Sequence, residues 1–213
     1  MRSGGFSHCV FAGVLAILAG PMLLLCTLVI LIDDGWPVLF QQVRVGKDGR
    51  PFLLFKFRTM RNRSNGMPLT AKDDCRITRS GRVLRKYKLD ELPQLWNIFR
   101  GEMNFIGPRP EVPHYVNISD PAWREVLSVT PGLVDLASLA FRNEEVLLGR
   151  AGDIDLYYRT NLLPQKLALS AHYLHRRSRI WDIRLAFVTM LYLCAPRHFD
   201  PIRIQQMFDY EGY

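Results

Sequence analysis

Paired cysteines are missing from this chain. Its 4 Cys residues, Cys9, Cys26, Cys75 and Cys194, stand far apart, and none forms the CxxC spacing of a zinc or dithiol site. They read as small apolar fillers in a reducing compartment, without a metal or redox role. The 5 His residues, His8, His114, His172, His175 and His198, show neither HExxH nor close pairing and read as surface or core side chains. No GxGxxG, Walker loop or GxSxG element occurs, which weighs against dinucleotide binding, P-loop chemistry and serine hydrolysis. Internal repeats and low-complexity segments are also absent.

What is present begins with charge. The 213 residues carry 28 Lys+Arg against 20 Asp+Glu, a formal net charge of +8. Such an excess favours anionic partners, whether nucleic acid, acidic lipid head groups or phosphorylated substrates, and does not choose among them. Once an apolar N-terminal stretch is set aside, the length leaves room for one domain with a real core.

That stretch runs from Cys9 to Ile32 without a charged residue. As a straight helix it would reach about 36 Å, enough to cross a bilayer. It is longer than a usual signal-peptide core, and Asp33-Asp34-Gly35-Trp36 after it is not a small-residue cleavage site, so it is expected to stay in the mature protein. Pro21, after Gly20, predicts a kink, because proline removes a backbone donor and crowds the preceding turn. Composition alone favours an ordinary spanning helix, since a kink by itself does not return both ends to one face. The Arg44, Lys47, Arg50, Lys56, Arg58, Arg61 and Arg63 cluster beyond it points to a cytoplasmic globular part.

Residues 37–60 predict a hairpin with its turn between Gly46 and Gly49, and residues 61–75 a polar loop. Thr78 is placed to cap a helix through Val83, Leu84 and Tyr87, and Arg76, Arg79, Arg82 and Arg85 recur every third residue as a basic stripe. A second helix is expected from Asp90, with Pro93 in its first turn, ending by Gly101. Gly107-Pro108-Arg109-Pro110 reads as a stiff extended loop, and Pro131-Gly132 opens an apolar strand or turn. The last third, Leu162 to Leu193, is helical in pattern.

Asp90-Glu91 is the sharpest chemical feature. Two adjacent carboxylates after Arg85, Lys86 and Lys88 can stay ionised and serve as nucleophile and metal ligand, although acidic residues in a first helical turn are ordinarily capping residues. Arg109, between two prolines, is held ready for a phosphate or a planar base. Lys56 and Arg58 alternate with Phe57, so strand geometry sets both charges on one face, where they bind phosphate or simply meet solvent.

The runs Arg85-Lys-Tyr-Lys-Leu-Asp-Glu-Leu-Pro-Gln-Leu-Trp-Asn97 and Gly101-Glu-Met-Asn-Phe-Ile-Gly-Pro-Arg-Pro-Glu111 resemble the signature of the bacterial sugar transferase family, the monotopic phosphoglycosyl transferases. The resemblance extends through Lys56-Phe-Arg-Thr-Met60, Pro131-Gly132-Leu133 and Trp181-Asp182 and covers nearly the whole chain. It implies transfer of a phosphosugar from a UDP-sugar to a polyprenyl phosphate, with Asp90 as nucleophile, Glu91 as the Mg²⁺ ligand, and Arg85 and Lys56 contacting the diphosphate or supporting that pair. Arg109, with Pro108, Pro110 and Arg58, would hold the nucleotide.

It also implies a helix-rich α/β (α+β) fold. Residues 1–36 would form a re-entrant membrane helix, and residues 37–213 one compact cytoplasmic catalytic domain with a small β-hairpin and interfacial amphipathic helices. The site would be the cytoplasmic face of a bacterial inner membrane, with lipids as partners, no nucleic acid, and self-association left open. The family bends its helix at a Ser-Pro pair, where this chain has Gly20-Pro21. Asp135 and Ser138 stand where the family commonly has glycine and often glutamine. Other classes remain: a basic membrane-tethered binding protein using the arginine stripe, or a non-catalytic scaffold.

Overall fold

The computed structural model describes residues 5–61, 69–70, 74–194 and 200–210. Much of the expected polar loop, the side chains of His8, Cys9 and Cys194, and His198 lie outside the described residues. The apolar N-terminus forms two helices, α1 (Gly5–Leu18) and α2 (Gly20–Asp34), bent by 59° at the break between them. Pro21 has no N–H to continue the ladder, and Gly20 meets nothing within 4 Å where a side chain would lie, so the chain turns there. Among the described residues no single helix is long and apolar enough to cross a membrane, whereas the bent pair together passes that test.

Strands β1 (Leu39–Val45) and β2 (Pro51–Phe57) make the expected antiparallel hairpin, in register from Leu39 opposite Phe57 to Val45 opposite Pro51. Asp48 and Gly49 take positive φ of 56° and 74° to close its turn. Then come α3 (Arg79–Lys86), a 3-10 turn at Leu89–Glu91, and α4 (Gln94–Phe99). Thr78 caps α3 as its sequence position suggested, its side chain accepting from Gly81 N.

A second sheet pairs β3 (Asn104–Ile106) with β4 (Gly132–Val134) in parallel. Here two glycines meet: a Cβ on Gly132 would run into Gly107 N and O, well inside van der Waals contact. Between these strands lies α5 (Pro121–Val126), and beyond them follow α6 (Leu136–Ala140), α7 (Glu144–Leu148), α8 (Ile154–Tyr157), α9 (Leu163–Arg176), α10 (Arg179–Cys194) and α11 (Pro201–Met207). The helix-rich α/β expectation is met, with a second, parallel pair of strands beside the expected small hairpin.

The main core gathers Leu136, Leu169, Tyr173, Leu185 and Ile204 from α6, α9, α10 and α11, with Phe208 just past the end of α11. A second core joins α1 to the globular part: Ala12 of α1 packs with Leu54 of β2, Leu95 and Ile98 of α4, and Met103. A third joins Cys26 and Ile30 of α2 to Phe57 and to Leu84 of α3. The end of α2 is also bolted by polar contacts. Asp33 Oδ2 accepts from Ser80 N at 2.7 Å, and Asp34 Oδ2 pairs with Arg58 Nη2 at 3.0 Å.

Two sequence expectations are corrected. The basic stripe does not form, because Arg76 lies before α3 and pairs with Asp74, while Arg85 turns inward to Met60 and Glu145. A three-residue spacing drifts by about 60° per step around an α-helix, so such residues cannot share one face for long. Cys75 is exposed in the turn beside Asp74 and fills no core, unlike buried Cys26.

The close approach of Gly107 and Gly132 sets a stability test. Gly132→Ala is expected to cost about 1–3 kcal/mol, since the added methyl has to push backbone against backbone. Gly152→Ala, at a site with nothing within 4 Å, is expected to change stability by no more than about 0.5 kcal/mol. Denaturant melts of the two variants check the difference.

Candidate active site

Asp90 and Glu91 share the 3-10 turn at Leu89–Glu91, and both are buried. The sequence suggested that they open a helix, but α4 starts only at Gln94, with Pro93 at its N-cap. Pro93 has no N–H, and the bonds across it are three-residue ones: Leu92 N to Leu89 O, Leu95 N to Leu92 O and Trp96 N to Pro93 O. The pair is therefore set in a tight turn ahead of α4. Just before it, Lys88 adopts left-handed φ of 57°, which turns the chain sharply into this turn.

Three cations converge on Glu91. Arg109 Nη2 reaches Oε1 at 2.7 Å with Nη1 3.4 Å from Oε2, Lys56 Nζ reaches Oε1 at 3.3 Å, and Lys88 Nζ lies 3.7 Å away. Burial pushes the Glu91 carboxyl up, but Arg109, Lys56 and Lys88 together outweigh it and hold the carboxyl well below its usual range. Glu91 in turn raises the Arg109 guanidinium. Lys56 behaves oppositely: burial lowers its ammonium to about 8, only partly opposed by Glu91.

Asp90 differs from its neighbour. Its Oδ1 is buried without a hydrogen-bond partner. A buried carboxylate oxygen left unpaired is costly, and one that faces a cationic cluster is available to bond to something brought from outside. Among the described residues no group of three or more His, Cys, Asp or Glu side chains forms a metal-holding cluster. A small divalent ion does not need one, because Mg²⁺ is ordinarily held by one or two carboxylates plus substrate phosphates. Asp90, with its free oxygen, and adjacent Glu91 fit that kind of shared ion.

The Pro-Arg-Pro loop is pinned at both ends. Pro108 O accepts from Gly132 N at 2.8 Å, and Pro110 O accepts from Arg44 Nη1 at 3.2 Å. Arg44 also pairs with Glu111 at 3.0 Å, and Tyr158 donates its hydroxyl to Glu111 Oε2 at 2.6 Å. These contacts fix the backbone from which Arg109 reaches Glu91. A small crevice of about 10 Å³ lies against the loop, between Val45, Trp123, Leu127 and Pro131.

The structure thus brings together Asp90, Glu91, Lys56 and Arg109, with Pro108 and Pro110 as the frame of the loop. It does not bring in the other two expected residues. Arg85 is engaged by Glu145 of α7 and by Met60. Arg58 lies past the end of β2 and donates to Asp34 O at 2.6 Å and Gly35 O at 2.8 Å, so it secures the end of α2. Sequence reasoning gave no role to Lys88, Arg44 and Glu111. Lys88 was visible only as one basic residue among several, and Arg44 and Glu111 lie too far apart in the chain for spacing to pair them.

Comparison with known proteins gives a concordant result. Residues 5–195 match the family described as bacterial sugar transferase. The chain is 33% identical to the exopolysaccharide production protein ExoY of Sinorhizobium fredii over 91% of this chain and 88% of that one. It is 34% identical to the UDP-glucose:undecaprenyl-phosphate glucose-1-phosphate transferase of Caulobacter vibrioides, over 85% of this chain and 66% of that protein. With the undecaprenyl-phosphate glucose phosphotransferase of Komagataeibacter xylinus it shares 35% identity over 84% of this chain, but spans only 34% of that relative's length. On the extent of the family match and the coverage by such relatives, the chain belongs to the bacterial sugar transferase family.

Proposed function

We propose that this protein transfers a phosphosugar from a UDP-sugar to a polyprenyl phosphate, the initiating step of a polysaccharide or glycoconjugate assembly. The relatives named as undecaprenyl-phosphate sugar phosphotransferases support the reaction class. The observation that carries the site assignment is the unpaired, buried oxygen of Asp90 beside a carboxylate gripped by three cations. In this reading Asp90 attacks the sugar-bearing phosphorus. A bond forms from its carboxylate to phosphorus, and the bond to the UMP oxygen breaks. The acceptor phosphate then attacks the same phosphorus, which yields the polyprenyl diphosphate sugar and frees Asp90.

Arg109, Lys56 and Lys88 supply the charge for a diphosphate. Their three positive charges outnumber those of Asp90 and Glu91, so the cluster holds a surplus that an anionic donor neutralises. Mg²⁺ bound to the donor and to Asp90 and Glu91 would lower the charge on the diphosphate oxygens.

The bent α1–α2 pair is the re-entrant anchor of residues 1–36, and residues 37–213 are the catalytic domain on the cytoplasmic face. The supporting observation is apolar exposure. Ile17, Leu18, Leu24 and Ile32 are more than half exposed, as are Ile180, Ile183 and Phe187 of α10, which buries Leu185 and Val188 on its other side. A helix with apolar side chains both in the core and on its open face suits contact with acyl chains. Such an anchor holds a soluble donor and a lipid acceptor at one depth.

Three measurements test this reading. Purified protein with Mg²⁺ and candidate UDP-sugars is expected to release UMP, and Asp90→Asn to lower that release by at least about a thousandfold; full turnover by the variant removes Asp90 as nucleophile. The donor kcat/KM, which reports groups of the free enzyme, is expected to fall above pH of about 8, where Lys56 loses its proton and the site a positive charge. Lys56→Arg, charged throughout that range, is expected to move this limb to higher pH. A Ser3→Cys label in a single-cysteine background is expected to react from the cytoplasmic side, and periplasmic labelling would replace the re-entrant anchor by a spanning one.

A further inference from the structure

Among the described residues few buried side-chain atoms lack a hydrogen-bond partner, and besides Asp90 Oδ1 one other carboxylate oxygen is among them, Asp135 Oδ1. Asp135 is 4% exposed. It follows β4 directly and caps α6, with Oδ2 accepting from Ser138 N at 2.9 Å and from Ser138 Oγ at 3.1 Å. Capping explains one oxygen and leaves the other idle.

The strand register says where Asp135 lies. Ile106 of β3 is opposite Val134 of β4, and Gly107 N donates to Val134 O at 3.0 Å. The chain from Gly107 continues at once into the Pro-Arg-Pro loop, so Asp135 and Arg109 leave neighbouring strands at the same end. Their charges feel one another, and Lys166 acts on Asp135 as well. Yet both cations are committed elsewhere. Arg109 grips Glu91, and Lys166 donates to Glu144 Oε2 at 2.7 Å.

The partner of Oδ1 therefore comes from outside the chain. A phosphate oxygen carries no proton to give and would repel the carboxylate. A divalent ion is disfavoured because, unlike Asp90 with adjacent Glu91, Asp135 has no acidic neighbour in the chain and its other oxygen is engaged by Ser138. A neutral hydroxyl has the required proton, and a nucleotide sugar whose diphosphate rests on Arg109 carries hydroxyls on both sides of that diphosphate. We infer that Asp135 is a specificity-determining residue whose free Oδ1 accepts a hydrogen bond from one hydroxyl of the donor, on the ribose or on the hexose. This rests on the UDP-sugar reading above.

Deoxy donors separate the possibilities. UMP release is measured for wild type, Asp135→Asn and Asp135→Ser with the UDP-sugar that the wild type uses, with its 2′-deoxyuridine analogue, and with analogues lacking single hexose hydroxyls. Both variants keep an acceptor for Ser138 N and so keep the cap of α6. With the full donor each is expected to lose about 10- to 100-fold in kcat/KM, the range for a hydrogen bond to a charged group. With one deoxy analogue the wild type is expected to lose a similar factor and the variants nothing more. Coupling to the 2′-deoxyribose donor assigns the ribose, and coupling to a hexose analogue assigns the sugar. If the variants lose the same factor with every analogue, or if no deoxy donor is worse than the full donor for the wild type, the inference is overturned while the parent reading stands. Absence of UMP release by the wild type from any UDP-sugar overturns both.

Discussion

The ion cluster on Glu91 is the constraint around which this molecule is organised. A carboxylate buried there without partners would cost several kcal/mol, so each neighbouring element has to deliver a cation to the same place. Lys56 comes from β2, Lys88 from the left-handed residue before the turn, and Arg109 from the proline-framed loop. Removal of any one element would leave charge unmatched in a buried site. The cluster therefore ties the hairpin, the Leu89–Glu91 turn and the second sheet into one unit, and it leaves adjacent Asp90 with an oxygen that has no hydrogen-bond partner among the described residues.

Behind that cluster stands a second layer with its own logic. The Arg109 backbone is held by Gly132 on one side and by Arg44 on the other, while Arg44 and Tyr158 satisfy Glu111. Burial lowers the Arg44 guanidinium, and Glu111 opposes that shift, so the pair is favourable only while both members are present. The glycine contact beneath it allows β3 and β4 to approach closely enough for the loop to bridge them. Rigidity at Arg109 is thus built from packing and hydrogen bonds within two residues on either side.

Much of this was legible from the residues. The hairpin showed in its turn glycines and alternating strands, the cap of α3 in Thr78, and the bend between α1 and α2 in Gly20-Pro21, because each is a local signal with a local cause. Asp90, Glu91, Lys56 and Arg109 were named, yet nothing in their spacing said that three cations would share one carboxylate. That arrangement depends on contacts between residues distant in the chain. The same reason hid Arg44 with Glu111, and it misdirected the arginine series, whose members Arg76 and Arg85 are drawn to Asp74 and Glu145. Arg58 alternates with Lys56 in sequence but falls beyond the last residue of its strand, where the end of α2 offers it carbonyls and a carboxylate.

The packing of the bent helix pair bears on how the chain comes to be made. Ala12 and Gly13 of α1 lie against Phe99, Ile98 and Met103, and Ile30 of α2 against Leu84. The ribosome delivers α1 and α2 first and those partners much later. For that interval the small-residue face of α1 is without the neighbours it packs against in the finished fold, and the helix pair waits as an unfinished half of the core. Completion of that half is thus a late event, tied to the emergence of α3 and α4.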